Sequence, residues 1–247
     1  MITRILVANL SPMSGIEKWL ISNYLSHEHY RYGKFYSLGF VVICLLMSGH
    51  FWASYGNIGT EDFLLASPYK VFVQKKWWCL LTTALIHADL GHLLSNAFML
   101  VIMGRFVSSY YGFWVHPVLS LLLGGGVCNL LVLGTLEEKV ALLGASGVVY
   151  YLWGIWQVLY LLIQRHISLN RRFMKITAVN LFLLLPSYFD PRVSYLAHLL
   201  GFLLGVLSGA VLFLFKKRFY FSYEVFYESN EDAQPTEFIQ SPRRIEE

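Results

Sequence analysis

The sequence predicts an all-α membrane protein, and three observations predict it. Hydrophobic residues make up 56% of the 247 and charged residues only 14%, against roughly 45–50% and about 25% in a soluble domain. The apolar excess falls in blocks near 36–53, 93–111, 113–134, 146–164, 173–189 and 194–215, close to the about 20 residues that cross a bilayer. Inside the blocks the apolar residues run on without the alternation of a transmembrane β-strand. A bundle of six transmembrane helices is therefore expected.

The elements follow in chain order. Residues 1–35 are mixed in character and read as a cytoplasmic or interfacial segment, with an interfacial helix as its candidate element. Their opening, "MITRILVANLSPMSG", lacks the apolar core and small-residue cleavage site of a signal peptide, so it is expected to be retained. The six spans occupy a single core over 36–218. The fifth block is short and stops at Pro186, which leaves its ends the least defined. Residues 219–247 form a polar tail, acidic from Ser222 onward and without apolar period, and it is expected to be disordered. No repeat of 20–50 residues interrupts this plan.

Basic residues orient the bundle. Arg4, Lys18, Arg31 and Lys34 precede the first span, and Arg105 ends the second. Arg165, Arg171, Arg172 and Lys175 join the fourth to the fifth, and Lys216, Lys217 and Arg218 follow the sixth. The other connections are sparse or mixed in charge. By the positive-inside rule both termini are cytoplasmic, and a cell (inner) membrane is the expected location. The net charge of +4 is then a topology bias; basic residues are not gathered on one soluble face, as nucleic-acid binding would require. Cys44, Cys79 and Cys128 show no zinc-ligand spacing. They read as small buried hydrophobes, so neither a metal nor a cofactor is expected.

Polar groups inside a bilayer are costly and tend to mark function. Three places qualify: "LIHADLGHLLSNAFML" with His87, His92 and Asn96, "ALLGASGVVYY" with Ser146, and "YLAHLLGFLLGVLSGA" with His198. The other histidines, His27, His29, His50, His116 and His166, fall in tails, loops or span ends, where solvated or interfacial roles are expected. Alone, Ser146 reads as a helix cap or packing residue as readily as a nucleophile, and His198 as an interhelical hydrogen bonder. Periodicity changes that. Ser146, Tyr150 and Gly154 share one helical face. His198 shares a stripe with Gly201, Gly205 and Gly209, a repeated GxxxG that lets membrane helices approach closely. If these faces meet, His198 comes within reach of Ser146 and acts as its base. His92 and Asn96, four apart on the second span, together with the backbone N–H of Ser146, can then donate to the oxygen of a tetrahedral intermediate.

These residues resemble the rhomboid intramembrane serine proteases. "HADLGHLLSN" matches that family's HxxxxHxxxN element, "GASG" its GxSG element and "AHLLGFLLG" its AHxxGxxxG element, in the family's order, over roughly Tyr36 to Lys216. The resemblance implies a six-helix bundle with a Ser146–His198 dyad in a cavity open to the non-cytoplasmic side. It implies an oxyanion hole lined by His92 and Asn96, and Tyr150 stacked on the imidazole of His198. His87 becomes a supporting residue, Gly144 gives backbone clearance before the serine, and Gly201 and Gly205 allow close contact with span four. The fifth span and the loop after it, roughly Phe173 to Asp190, would be a lateral gate. The implied activity is endoproteolysis of single-span membrane proteins in or near the lipid. A silent helix-binding relative of the same fold is the alternative, and this sequence lacks the inverted repeat expected of a transporter.

Two departures stand out: Cys79 replaces an expected arginine after Trp77 and Trp78, and Ser108 replaces a glutamate after the second span. Both lie off the catalytic face, and they put the rigidity of the first loop in doubt. Asp89, Glu137, Glu138 and Asp190 read as loop charges, so a dyad without a third acid is expected. The sequence leaves the natural substrate and the oligomeric state open.

Overall fold

The computed structural model describes residues 16–54, 59, 63–184 and 194–230. Six principal helices run in chain order: α1 (Gly33–Ala53), α2 (Leu90–Tyr111), α3 (Trp114–Leu133), α4 (Ser146–Ile163), α5 (Leu169–Leu184) and α6 (Tyr195–Phe221). Among the described residues, all but α5 are long and apolar enough to cross a membrane. α5 has 16 residues and begins before the block expected for the fifth span; residues 185–193 of that region lie outside the described ones. The exterior is that of a protein dissolved in lipid: Leu214 and Phe215 on α6 are 74% and 86% exposed.

α4 is the most buried span and the post around which the others stand. Glycines decide its neighbours. A Cβ added to Gly201 of α6 would lie 2.5 Å from the Gly147 carbonyl oxygen of α4, and one added to Gly205 or Gly209 would collide with Tyr151 or Val158. Gly154 of α4 returns the contact against the backbone of Phe202. On its other side α4 meets α3, where a Cβ on Gly124 would stand 2.6 Å from that of Tyr151. Lipid tails give helices no hydrophobic reason to associate, so close van der Waals contact between backbones has to supply the attraction.

α1 crosses α2 equally tightly. Gly33 abuts the backbone of Ser109, while the Ser108 hydroxyl lies 2.6 Å from the Gly33 carbonyl and 2.5 Å from that of Gly104. A residue so enclosed has to be short, which accounts for serine where the family pattern has glutamate. The connection before α2 is likewise pinned despite its cysteine. Trp78 Nε1, Cys79 Sγ and Thr82 Oγ1 donate to the carbonyls of Phe63 and Leu64 at 3.0, 3.3 and 2.7 Å. All three cysteines are buried, as expected.

The chain ends differ from expectation. β1 (Ile16–Ser22) pairs antiparallel with β2 (Val225–Asn230), Trp19 opposite Tyr227 and Leu20 opposite Phe226. Among the described residues of the first segment a strand stands where an interfacial helix was expected, and in the tail a strand extends to Asn230. Short runs rich in aromatic and β-branched residues satisfy each other's edges once the bundle brings them together. Residues 231–247 lie outside the described ones. Next to the sheet, Glu224 accepts from Arg165 Nε and Nη2 at 3.0 and 2.6 Å, and His166 Nε2 stands 2.9 Å from it at ion-pair distance. Burial pushes the Glu224 carboxyl up, and the cations beside it outweigh burial and hold it below its ordinary range. Asn23 Nδ2 adds a 2.9 Å bond to Gln164.

Two histidines expected in solvated or interfacial roles are buried. His29 stacks on Tyr24 with ring centroids 3.9 Å apart and donates from Nε2 to the Tyr24 carbonyl at 2.6 Å. His116 is fully enclosed at the kinked start of α3, bonded through Nδ1 to Ser120 at 2.8 Å. Aromatic neighbours bury both: Tyr223 and Tyr110 around His29, Phe40 beside His116.

If backbone contact holds α4 to α6, one methyl group there should be costly. Gly205→Ala is expected to lose about 1–3 kcal/mol by overpacking and several degrees of Tm in detergent, whereas Gly49→Ala, whose Cβ meets nothing within 4 Å, should lose far less. Equal Tm values for the two variants would refute the packing account.

Candidate active site

The segment leading into α4 determines where Ser146 stands. Gly144 takes a φ of +112°, which strains any side chain, and a Cβ there would lie 2.6 Å from Cε1 of His92. Glycine is required on both counts. Three hydrogen bonds hold the run: Leu142 N–H donates to the Ala66 carbonyl at 2.9 Å, Gly144 N–H to that of Thr83 at 3.1 Å, and Ala145 N–H to Nε2 of His87 at 3.2 Å. The Thr83 hydroxyl also donates to the Leu142 carbonyl. The helix begins at Ser146 with Ala145 as its N-cap and no side-chain cap bond. Ser146 therefore does not cap the helix. It lies half-buried at the first helical position, where backbone N–H groups have no intrahelical acceptor.

His87 earns its supporting place through its ring nitrogens. Because Nε2 accepts from Ala145, the proton is assigned to Nδ1, which faces the Ser48 hydroxyl at 3.2 Å. Ser48 also accepts from the His87 backbone N–H at 3.1 Å, and Trp52 Nε1 donates to the His87 carbonyl at 2.9 Å. Ser48, Trp52 and Thr83 were not legible as site residues, since each lies in an apolar context with no period linking it to Ser146.

His198 lies across the glycine seam. Its ring stacks on Tyr150, centroids 4.1 Å apart and planes 13° from parallel, with the Tyr195 ring edge-on at 6.0 Å. Tyr150 is one helical turn from Ser146, and Gly201, one turn from His198, abuts Gly147. The two side chains thus occupy the same level of the α4–α6 seam, and no direct hydrogen bond joins them here. Catalytic hydrogen bonds in unliganded enzymes are often open and tighten when substrate arrives.

His92 packs beside Gly144, lies 5.1 Å from the His87 ring edge-on, and is within electrostatic range of His198. Asn96, one turn further along α2, is buried and donates from Nδ2 to the His92 carbonyl at 3.2 Å. Asp89 accepts from the His92 backbone N–H at 2.8 Å and so caps α2. Glu137 and Glu138 are exposed, and Asp190 lies outside the described residues. Among the described residues no carboxylate acts on His198, so stacking on Tyr150 is what orients its ring.

Burial, reinforced by His92, pushes the imidazole of His87 down to about 3. The unfolded chain takes up that proton below an ordinary pKa of about 6.5, while the folded chain resists it until about 3. Stability from this group is therefore complete above about pH 6.5 and lost as pH falls towards 3, at up to about 1.4 kcal/mol per unit. In detergent, Tm should fall between pH 7 and 4 more steeply for the parent than for His87→Gln. Parallel slopes would remove His87 from the account.

Comparison with known proteins identifies a family for the chain. The model of the rhomboid domain matches residues 74–215. The candidate rhomboid protease YdcA of Bacillus subtilis (strain 168) is 27% identical over 146 residues, covering 59% of this chain and 72% of that protein. Rhomboid-like protein 11, chloroplastic, of Arabidopsis thaliana is 29% identical over 182 residues, covering 64% and 63%. RHOMBOID-like protein 2 of the same plant is 33% identical over 150 residues, covering 58% and 44%. The chain spans less than two thirds of the length of the two plant relatives. With the matched region running from the first loop into the last turns of α6 and containing every residue of the GxSG and AHxxGxxxG elements, this chain belongs to the rhomboid family of multi-pass membrane proteins.

Proposed function

We propose that this protein is an intramembrane serine endopeptidase acting on single-span membrane proteins through Ser146 and His198. The observation that carries the reading is the imidazole of His198 stacked on Tyr150, one turn from Ser146, across the seam where Gly201 abuts Gly147. Ser146 Oγ attacks the scissile carbonyl carbon while His198 takes its proton. The oxyanion so formed is met by Ser146 N–H, His92 and Asn96. His198 then passes the proton to the departing amine, leaving an acyl-enzyme, and water activated by the same imidazole releases the acid. With no carboxylate behind the imidazole among the described residues, turnover is expected to be modest. Substrates should carry helix-breaking or small residues near the interface, because a helical amide is hydrogen-bonded and shielded.

The reading includes six crossings with both termini cytoplasmic, in a cell membrane. β1 precedes α1 and β2 follows α6, and their pairing holds the two strands on one face, which supports an even number of crossings between them. Arg165, just after α4, bonds Glu224 on that same face, whereas α6 starts beside the opposite end of α4, where Gly201 abuts Gly147. Both contacts support a crossing between Ile167 and Ser194, to which α5 contributes about 24 Å at 1.5 Å per residue against the about 30 Å of a bilayer core. The basic residues Arg31, Lys34, Arg105, Lys216 and Lys217 gather at that face, which favours the cytoplasm.

The protein reconstituted with a labelled single-span substrate should yield product, and Ser146→Ala none. His198→Ala should be slower by about 10²–10⁴-fold, and loss of either His92 or Asn96 should cost up to about 10²–10³-fold. A fluorophosphonate probe should label the parent and not Ser146→Ala. Product at the parental rate from His198→Ala would end the dyad assignment. Substrate bound but never cut by the parent would favour the silent helix-binding alternative.

A further inference from the structure

Between α1 and α3 runs a groove of about 460 Å³, within the about 300–1,000 Å³ range of small-molecule sites. Its walls are apolar: Phe35, Gly39 and Ile43 from α1, Phe113, Pro117 and Leu121 from α3. Gly39 creates the space, since a Cβ built there meets nothing within 4 Å. Every other glycine described above meets a neighbour closely, or lies outside this groove as Gly49 does.

One end of the groove is charged. Lys34 Nζ stands 5.2 Å from the centroid of the Phe35 ring, which lines the groove, and Arg31 lies over the adjoining Tyr32. Tyr32 and Trp114, 52% and 73% exposed, stand at the same end. Exposed aromatic rings beside basic residues mark the headgroup level of a bilayer, and a lysine there keeps its ammonium among the phosphates while its stem lies on apolar surface. Glu28, the nearby acid, is already paired with Arg105.

We infer that this groove binds an anionic diacyl phospholipid of the bilayer, one acyl chain along Gly39 and the phosphate at Lys34 and Arg31. An apolar slot explains the chain, and the cations at its mouth, unopposed among the described residues, select a net negative headgroup over a zwitterionic one. The site involves none of the residues of the proteolytic reading, so its success or failure is separate from that reading.

The test is native mass spectrometry of the full chain, purified and delipidated in detergent, titrated with dioleoyl phosphatidylglycerol or dioleoyl phosphatidylcholine. The parent should bind the first phosphatidylglycerol in clear preference to phosphatidylcholine. Lys34→Gln should reduce that preference about fivefold, the effect of one basic residue at an anionic surface. Gly39→Phe, which fills the groove, should reduce binding of the first lipid of both kinds by about tenfold or more, one CH₂ being worth about 0.8 kcal/mol when buried. Gly49→Phe, on the same helix with the same free space, should bind as the parent does. Equal affinity for the two lipids, unchanged binding by Gly39→Phe, or equal losses from Gly39→Phe and Gly49→Phe would each overturn the site. A dimer of the parent that Gly39→Phe dissolves would assign the groove to a second copy instead.

Discussion

Backbone-to-backbone contact between α4 and its neighbours is the constraint from which the rest of the molecule follows. A membrane interior removes the usual reason for helices to associate, and what remains is close packing and interhelical hydrogen bonding. α4 satisfies this on two sides at once. Gly201, Gly205 and Gly209 of α6 let that helix lie against Gly147, Tyr151 and Ile155, and Gly124 of α3 does so against Val148 and Tyr151. The seam fixes rotation as well as distance, because only one face of each helix carries glycine. Once it closes, a histidine one turn before Gly201 has little choice of neighbour. It meets the α4 residue one turn from Ser146, and that residue is a tyrosine able to stack.

A second constraint acts through hydrogen bonds. The loop from Leu142 to Ala145 would leave several backbone donors buried without partners, each costing about 1–3 kcal/mol. The first connection supplies the acceptors: Ala66, Thr83 and His87. A neutral imidazole is suited to this place because one nitrogen accepts from Ala145 while the other faces Ser48. The position of Ser146 is therefore set by a long loop that carries no reacting group. That loop keeps its shape with cysteine at position 79 because three side chains around it donate to the carbonyls of Phe63 and Leu64.

Periodic features were legible in the sequence and tertiary ones were not. The stripes Ser146–Tyr150–Gly154 and His198–Gly201–Gly205–Gly209 repeat at helical spacing, so the seam could be read from residue order, while the stack of Tyr150 on His198 was implied by the family resemblance. The run Gly124–Gly125–Gly126 has no such period, and its contact with α4 shows only in three dimensions. His29 and His116 looked like loop or span-end residues since position along the chain does not report enclosure by Tyr24, Tyr223 or Phe40. The strands β1 and β2 were missed for a related reason. Each is six or seven residues long and lies in a polar end, and neither has an edge partner until the bundle brings residues 200 positions apart together.

α5 differs from its neighbours in how it is held. At its root, Arg165 and His166 engage Glu224, and Gln164 engages Asn23, so the segment that starts it is tied to both chain ends. Along its length the described polar ties are Arg172, whose Nη1 donates to the Leu161 carbonyl, and Asn180, whose Oδ1 accepts from Trp153 Nε1 at 2.8 Å and Gln157 Nε2 at 2.7 Å. No glycine of α4 opens onto α5 as Gly147 and Gly154 open onto α3 and α6. Interdigitated backbones have two states, packed or separated, and separating them forfeits many contacts together. Two hydrogen bonds to a single carbonyl oxygen forfeit about 0.5–1.5 kcal/mol each. α5 is thus the described helix joined to α4 by side-chain ties in place of interleaved backbones.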